Sequence, residues 1–158
     1  MDLKQLPEEF KEFLKSLQLN DVRYLLVGGW ALGVYAEPRY TGDIDFFVAV
    51  DSTNLSRLQR ALTHFGAPPL NEEEFRIKGN AYCIGRRPLR IELINNAAGI
   101  DFDDCWQRRH LVDVGEGLTV DTISKEDLLR NKQSAGRPKD LADVATLRSH
   151  SAHKSLDR

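Results

Sequence analysis

Two aspartates separated by one residue, Asp43 and Asp45, stand at the start of the apolar segment DIDFFVAV. In a β-strand, side chains two positions apart project from the same face, so both carboxylates would point together while Ile44 turns into the core. Carboxylates this close repel each other unless a cation lies between them, and Mg²⁺ binds such oxygens while keeping coordination sites for phosphate. Taken alone, the pattern favours two solvated carboxylates at an exposed strand end.

Two further features would suit a site for phosphate and a metal ion. Gly28 and Gly29 end an apolar run and directly precede a helical pattern. Without Cβ atoms their backbone can approach a ligand closely, and the N–H groups at a helix start favour phosphate. Glu92 lies inside the apolar segment LRIELIN, on the same strand face as Arg90, and would be a third carboxylate on a strand that could neighbour the strand of Asp43 and Asp45. On their own, the glycines are typical of an ordinary tight turn, and Glu92 fits a surface residue paired with Arg90.

This chemistry requires elements that bring the segments together. Apolar periodicity predicts helices over residues 7–19, 30–36, 51–66, 101–109, 125–135 and 139–149. Short apolar runs predict strands over residues 23–29, 43–50, 81–85 and 89–95, the last two as a hairpin, and two more strands within residues 110–124. The order predicts an α/β (α+β) domain with a small mixed β-sheet backed by helices. We expect a single domain over residues 1–148 and a polar, frayed tail over residues 149–158.

The composition is that of an ordinary globular domain. The chain has 158 residues, of which 41% are hydrophobic and 29% charged, and its net charge is −2. A nucleic-acid partner would need a local basic patch, for which residues 85–90 and 107–110 are candidates, although each alone is typical of solvated loop charge. The isolated Cys83 and Cys105 predict packed free thiols in a reducing compartment. With no apolar stretch near membrane-spanning length, we expect a cytoplasmic protein without membrane contact.

In this order, the acidic and glycine features resemble those of the nucleotidyltransferase superfamily of the polymerase-beta type. That family carries a small G-G or G-S turn after a strand, then a D-x-D strand, then a third acidic residue on a later strand. The matching residues here are Gly28–Gly29, Asp43–Asp45 and Glu92. The segment GGWALG also resembles the start of lincosamide and aminoglycoside nucleotidyltransferases. One departure is glutamate at the third acidic position, where aspartate is commoner, although the longer side chain could still ligate a metal or act as a base.

The C-terminal segment SKEDLLRNKQSAGRPKDLADVATL resembles the two closing helices of the AbiEii-type group and its bacterial relatives. In that group, a lysine and an aspartate after an R-x-K-D run help to form the nucleotide site. The matching residues here are Lys132 and Asp140, with Arg137 and Lys139 in the same run. An amphipathic helix pair that docks on the sheet explains the segment equally well. Both interpretations can hold together because the apolar and polar residues occupy opposite faces.

The resemblance spans residues 24–147 and implies a minimal nucleotidyltransferase that moves an NMP group from a nucleoside triphosphate to an acceptor hydroxyl. The residues that it implies as catalytic groups and as ligands of two Mg²⁺ ions are Asp43, Asp45 and Glu92. The residues that it implies for nucleotide binding are Gly28, Gly29, Arg39, Lys132 and Asp140.

Three alternatives remain for what such a protein does. The AbiEii-like end implies a macromolecular acceptor, either tRNA or a partner protein, and a toxin-type enzyme with a cognate antitoxin. The segment GGWALG implies a small-molecule acceptor such as an antibiotic. The glutamate at position 92, together with a chain that leaves little room for an acceptor-binding domain, keeps a third alternative open. This alternative is a catalytically weak nucleotide-binding protein that acts through a partner.

Overall fold

A computed structural model of the protein describes residues 3–37 and 41–156. Within these residues the chain forms seven α-helices: α1 (Glu8–Leu19), α2 (Gly28–Tyr35), α3 (Ser52–Phe65), α4 (Glu72–Arg76), α5 (Phe102–Gln107), α6 (Lys125–Ala135) and α7 (Pro138–Leu156). The strands are β1 (Tyr24–Val27), β2 (Asp43–Val48), β3 (Ala81–Ile84), β4 (Arg90–Ile94), β5 (His110–Asp113) and β6 (Thr119–Thr122). They form one mixed sheet in the order β3-β4-β2-β1-β6-β5, which confirms the predicted fold class.

Local sequence signals set the ends of several helices. The Asp51 side chain accepts a hydrogen bond from the Asn54 backbone N–H at 2.9 Å and caps α3, and Gly66 ends that helix with a left-handed φ of 89°. Ser124 and Gly136 do the same for α6. These ends agree with the sequence prediction because each depends on a residue that lies next to the helix in the chain.

Two elements differ from the prediction. The helix α4 lies where the sequence predicts no element, because its five residues include a single buried apolar side chain, Phe75, and so show no periodicity. The last helix, α7, runs to Leu156, whereas the sequence predicts an end near Ser149. Neither proline nor glycine follows Pro138 in the chain, so no residue type that typically ends a helix stands at the predicted position.

The two faces of β2 are covered differently. Phe46 lies on the face towards α1, where its ring centroid is 5.7 Å from that of Phe13. Phe47 lies on the opposite face and packs on Phe102 of α5, with ring centroids 5.2 Å apart. By alternation, the two aspartates of β2 share the face of Phe47. That face is therefore apolar at the end of the strand and acidic at its start.

Strand pairing brings further polar groups to the acidic start of β2. The parallel register with β4 pairs Asp43 with Arg90 and Asp45 with Glu92. The antiparallel register with β1 places Val27 opposite Asp45. The hypothesis that the strand of Glu92 neighbours the strand of the two aspartates is thus confirmed. The end of β1 lies beside the same acidic start of β2.

Both cysteines are free thiols. Cys105 is buried as predicted, but Cys83 is exposed, so the expectation of two packed thiols is wrong for Cys83. The reason is its position on β3, the outermost strand at one edge of the sheet. Of the helices in the described part of the chain, none has the length and apolar character needed to cross a membrane.

The side chain of Asp127 ties α6 to the rest of the fold. It is fully buried and accepts hydrogen bonds from Arg108 at 3.0 Å to each oxygen and from Arg130 at 2.5 Å. Burial alone would raise the pKa of Asp127, but the hydrogen bonds from Arg108 and Ser124 outweigh this effect and hold the pKa below its ordinary value of 3.8. The carboxylate therefore stabilises the fold in its ionised form.

We expect Asp127→Asn to lower the free energy of unfolding by about 1–3 kcal/mol at neutral pH, because two guanidinium groups lose their charged partner. The folded-state pKa is lowered, so this stabilisation is present above the unfolded-state value and is lost as the pH falls through the folded-state value. Urea unfolding of both proteins should give a difference that shrinks below about pH 4. The exposed Glu73→Gln serves as the control. A difference that stays constant from pH 7 to pH 2.5 would contradict this account.

Candidate active site

Three carboxylates from neighbouring strands converge at the start of β2. One oxygen from each of Asp43, Asp45 and Glu92 lies within 4.8 Å of the other two. All three residues are half-buried. Clustered carboxylate oxygens are the ligands that hard divalent cations such as Mg²⁺ prefer. The three residues predicted as metal ligands are thus close enough to share one cation.

Two arginines surround the Asp43 carboxylate. Arg90 donates hydrogen bonds to its two oxygens at 3.0 and 2.8 Å, and Arg87 donates to the same two oxygens at 3.2 and 3.3 Å. Burial alone would raise the pKa of Asp43, but the hydrogen bonds from Arg90 and Arg87 outweigh it and hold the pKa below its ordinary value. Asp43 is therefore ionised and carries its own countercharge.

Asp45 lies in the opposite electrostatic environment. Burial, followed by the negative charges of Glu92 and Asp43, raises the pKa of Asp45 to about 7. The positive charges of Lys132 and Arg90 act in the other direction but do not compensate. A cation beside Asp45 would therefore stabilise the ionised form of this carboxylate.

The glycine turn packs directly on the acidic cluster. A Cβ atom at Gly28 would lie 2.3 Å from Oδ2 of Asp45, and one at Gly29 would lie 2.9 Å from Cβ of Thr41. Gly28 also has a φ of 71°, in the left-handed region that favours glycine. The chain can therefore begin α2 beside the Asp45 carboxylate only because these side chains are missing.

Lys132 and Asp140 belong to a buried ion-pair group between α6 and α7. The Lys132 Nζ lies 3.5 Å from Oδ1 of Asp140 and 2.9 Å from Oδ2 of Asp143, with only 7% of the lysine side chain exposed. Burial alone would raise the pKa of Asp140, but a hydrogen bond from Arg137 and the charge of Lys132 outweigh it and lower that pKa. The positive charge of Lys132 also lowers the pKa of Asp45, so this ion-pair group acts on the acidic cluster through the charge of its lysine.

The structure describes every predicted site residue except Arg39, which lies outside the described residues. It also shows two residues at the acidic cluster that the sequence analysis did not assign to the site. Arg87 was predicted only as part of a candidate basic patch, and Arg90 as part of that patch or as a partner of Glu92, yet both bind Asp43. The available signal was strand alternation, which puts Arg90 on the face of Glu92.

The second candidate basic patch, residues 107–110, is also paired with acidic residues. Arg108 binds Asp127, and Arg109 contacts Asp121 with an N–O distance of 2.9 Å. Arg109 also lies over the ring of Trp106, 3.7 Å from its centroid. These arginines stabilise contacts within the fold, which agrees better with structural charge than with a nucleic-acid surface.

Comparison with protein families agrees with this geometry. Residues 1–151 match a family described as "Nucleotidyltransferase of unknown function (DUF6036)". The chain belongs to this nucleotidyltransferase family. The superfamily resemblance inferred from the glycine turn and the acidic residues is thereby confirmed. Among curated proteins, no sequence matches this nucleotidyltransferase.

Solved structures share the fold of this nucleotidyltransferase. An antigenic nucleotidyltransferase-like protein from Paracoccidioides brasiliensis is 18% identical, with a TM-score of 0.52 over 90% of this chain and 74% of its own. The antibiotic-resistance factor ANT(2'')-Ia is 13% identical, with a TM-score of 0.53 over 99% of this chain and 88% of its own. At these identities the likeness shows the nucleotidyltransferase fold alone.

The contact between Gly28 and Asp45 gives a prediction with a matched control. In Gly28→Ala the new methyl group would turn the Asp45 carboxylate aside, so we expect divalent cations to bind about tenfold or more weakly. Gly117 has nearly the same φ, 73°, but an added Cβ there would meet nothing within 4 Å. Gly117→Ala should therefore share the backbone strain of about 1–2 kcal/mol without the loss of cation affinity.

Urea unfolding and calorimetric titration with Mn²⁺ measure the two effects separately. We expect both variants to lose stability, Gly28→Ala the more because its methyl group also meets Asp45, and weaker Mn²⁺ binding in Gly28→Ala only. Equal Mn²⁺ affinities in the two variants would show that the close approach of Gly28 to Asp45 has no bearing on the acidic cluster.

Proposed function

We propose that this protein transfers a nucleoside monophosphate group from a nucleoside triphosphate to an acceptor hydroxyl, with Mg²⁺ as cofactor. The observation that carries the proposal is the convergence of Asp43, Asp45 and Glu92 within 4.8 Å of one another, beside the start of α2. Membership of a nucleotidyltransferase family supports nucleotidyl transfer in general. Beyond this general activity, we propose the metal, the triphosphate donor and the acceptor.

The donor set fits a divalent metal. Three carboxylates face one another, and burial together with the negative charges of Glu92 and Asp43 raises the pKa of Asp45. We propose that Asp43 and Asp45 hold two Mg²⁺ ions and that Glu92 either completes the second site or accepts the proton of the acceptor. Bound there, the ions would supply charge neutralisation at the triphosphate and lower the pKa of the acceptor hydroxyl.

In the proposed transfer, the acceptor hydroxyl oxygen forms a bond to the α-phosphorus while the bond from this phosphorus to the α,β-bridging oxygen breaks. Pyrophosphate leaves, and the hydroxyl proton passes to a carboxylate, for which Glu92 is the candidate. Positioning and electrostatic stabilisation by the remaining residues would supply most of the catalysis.

The remaining residues would bind and orient the nucleotide. Backbone N–H groups at Gly28 and Gly29 would bind the triphosphate at the start of α2, and Arg39 is a further proposed phosphate ligand. Lys132 is held in place by Asp140 and would contribute positive charge from within the helix pair rather than from the surface. This arrangement refines the expectation that both residues help to form the nucleotide site.

For the acceptor, we propose a hydroxyl of tRNA or of a partner protein, as in a toxin-type enzyme with a cognate antitoxin. The AbiEii-like segment over residues 124–147 supports this choice. A small-molecule acceptor is the second candidate, supported by the segment GGWALG and by the fold shared with ANT(2'')-Ia. The third candidate, a nucleotide-binding protein without transfer activity, is less favoured because the longer side chain of Glu92 still brings its carboxylate within 4.8 Å of those of Asp43 and Asp45.

The carboxylates should be indispensable for transfer. With Mg²⁺ and an α-³²P-labelled triphosphate, we expect Asp43→Asn and Asp45→Asn each to lower transfer by about 10²-fold or more, because each removes an anionic ligand of the proposed Mg²⁺ ions. Asp113→Asn is the control, since Asp113 is an exposed strand residue at the opposite edge of the sheet. Circular dichroism would verify that all variants fold. Transfer by the Asp43→Asn/Asp45→Asn double variant at the wild-type rate would refute the site.

The same labelled triphosphates distinguish the acceptors. Each is incubated with the wild-type protein and either tRNA, cell-extract protein, or a panel of aminoglycosides and lincosamides. We expect label on tRNA or protein. Label on a drug would select the small-molecule candidate, and triphosphate binding without transfer to any acceptor would select the binding protein.

A further inference from the structure

The carboxylate of Asp43 is already saturated with hydrogen bonds. An ionised carboxylate has two oxygens with about four lone-pair directions. Arg90 directs two N–H groups at these oxygens, and Arg87 directs two more. A cation can therefore coordinate Asp43 only if at least one guanidinium group withdraws.

The two arginines are not held equally. Arg90 lies on β4 directly beside Asp43, is 31% exposed, and also lies 3.9 Å from the carboxylate of Glu92. Arg87 lies in the turn between β3 and β4, is 67% exposed, and makes the longer hydrogen bonds. Its aliphatic part rests on Gly42, where an added Cβ would lie 3.0 Å from the Arg87 Cδ. Exposed ion pairs contribute little free energy, so Arg87 is the arginine that can leave at low cost.

We propose that Arg87 is a displaceable residue of the site, which binds Asp43 in the cation-free protein and the polyphosphate of the nucleotide once a cation has taken its place. This inference rests on the proposed function. A guanidinium group binds phosphate oxygens in the same two-pronged geometry as a carboxylate. After displacement, the charge of Arg87 stays at the exposed rim of the site, where the triphosphate brings negative charge. Arg90 remains with Asp43 and orients it.

The first test measures cation binding without nucleotide. Arg87→Gln is compared with Arg86→Gln, which removes the same charge from the same turn. In the part of the chain that the structure describes, no hydrogen bond or ion pair joins Arg86 to Asp43. Titration with Mn²⁺, followed by electron paramagnetic resonance, should show about two- to fivefold tighter binding to Arg87→Gln than to Arg86→Gln, because the competitor for Asp43 is gone. Equal or weaker binding would overturn the inference.

The second test measures nucleotide binding with Mg²⁺ at saturation. Calorimetry with an α,β-methylene triphosphate analogue, which cannot be cleaved at that bond, should show about tenfold weaker binding to Arg87→Gln than to Arg86→Gln. Equal affinity would show that Arg87 serves only the ion pair with Asp43 and would overturn the inference while leaving the proposed function standing. Failure of the wild-type protein to bind either Mn²⁺ or the analogue would overturn the proposed function itself, and this inference with it.

Discussion

The parallel register between β2 and β4 is the constraint on which the acidic cluster depends. It pairs Asp45 with Glu92, and strand alternation sends both side chains to the same face of the sheet. In the same register, the fully buried Ile44 pairs with the fully buried Ile91 on the other face. A slip by one residue would bury the carboxylates and expose the isoleucines, so the hydrophobic core fixes the pairing that gathers the charges.

Three neighbouring carboxylates repel one another, and the surrounding residues offset this repulsion more fully at Asp43 than at Asp45. Asp43 receives two arginines, whereas Asp45 depends on charges that act from farther away and keeps a raised pKa. One of these charges is Lys132, whose burial would itself be costly without Asp140 and Asp143 as partners. The two C-terminal helices therefore do more than cover the sheet, because they deliver a buried positive charge next to an acidic strand.

Sequence reasoning succeeded where a structural feature depends on nearby residues. The caps of α3 and α6, the hairpin of β3 and β4 and the shared face of Asp43 and Asp45 follow from short-range rules. The pairing of β2 with β4 joins distant segments, so the sequence could suggest that the two strands are neighbours but could not give their register. Arg87 could not be assigned to the site because its contact with Asp43 forms only when the turn between β3 and β4 lies beside the start of β2. Likewise, the outermost position of β3, which exposes Cys83, is a property of the whole sheet.

The uneven compensation separates this cluster from a pair of merely solvated aspartates. Solvated carboxylates would project into water, whereas Asp45 is buried enough to raise its pKa and lies against the backbone of Gly28. An acidic group that served stability alone would gain most from complete neutralisation by fixed side chains. Here the neutralisation is incomplete at Asp45, and at Asp43 half of it comes from an arginine that is mostly exposed. A cation would neutralise Asp45 and replace Arg87 at Asp43 without any change in the sheet. We therefore propose that the cluster is a binding site rather than a structural one.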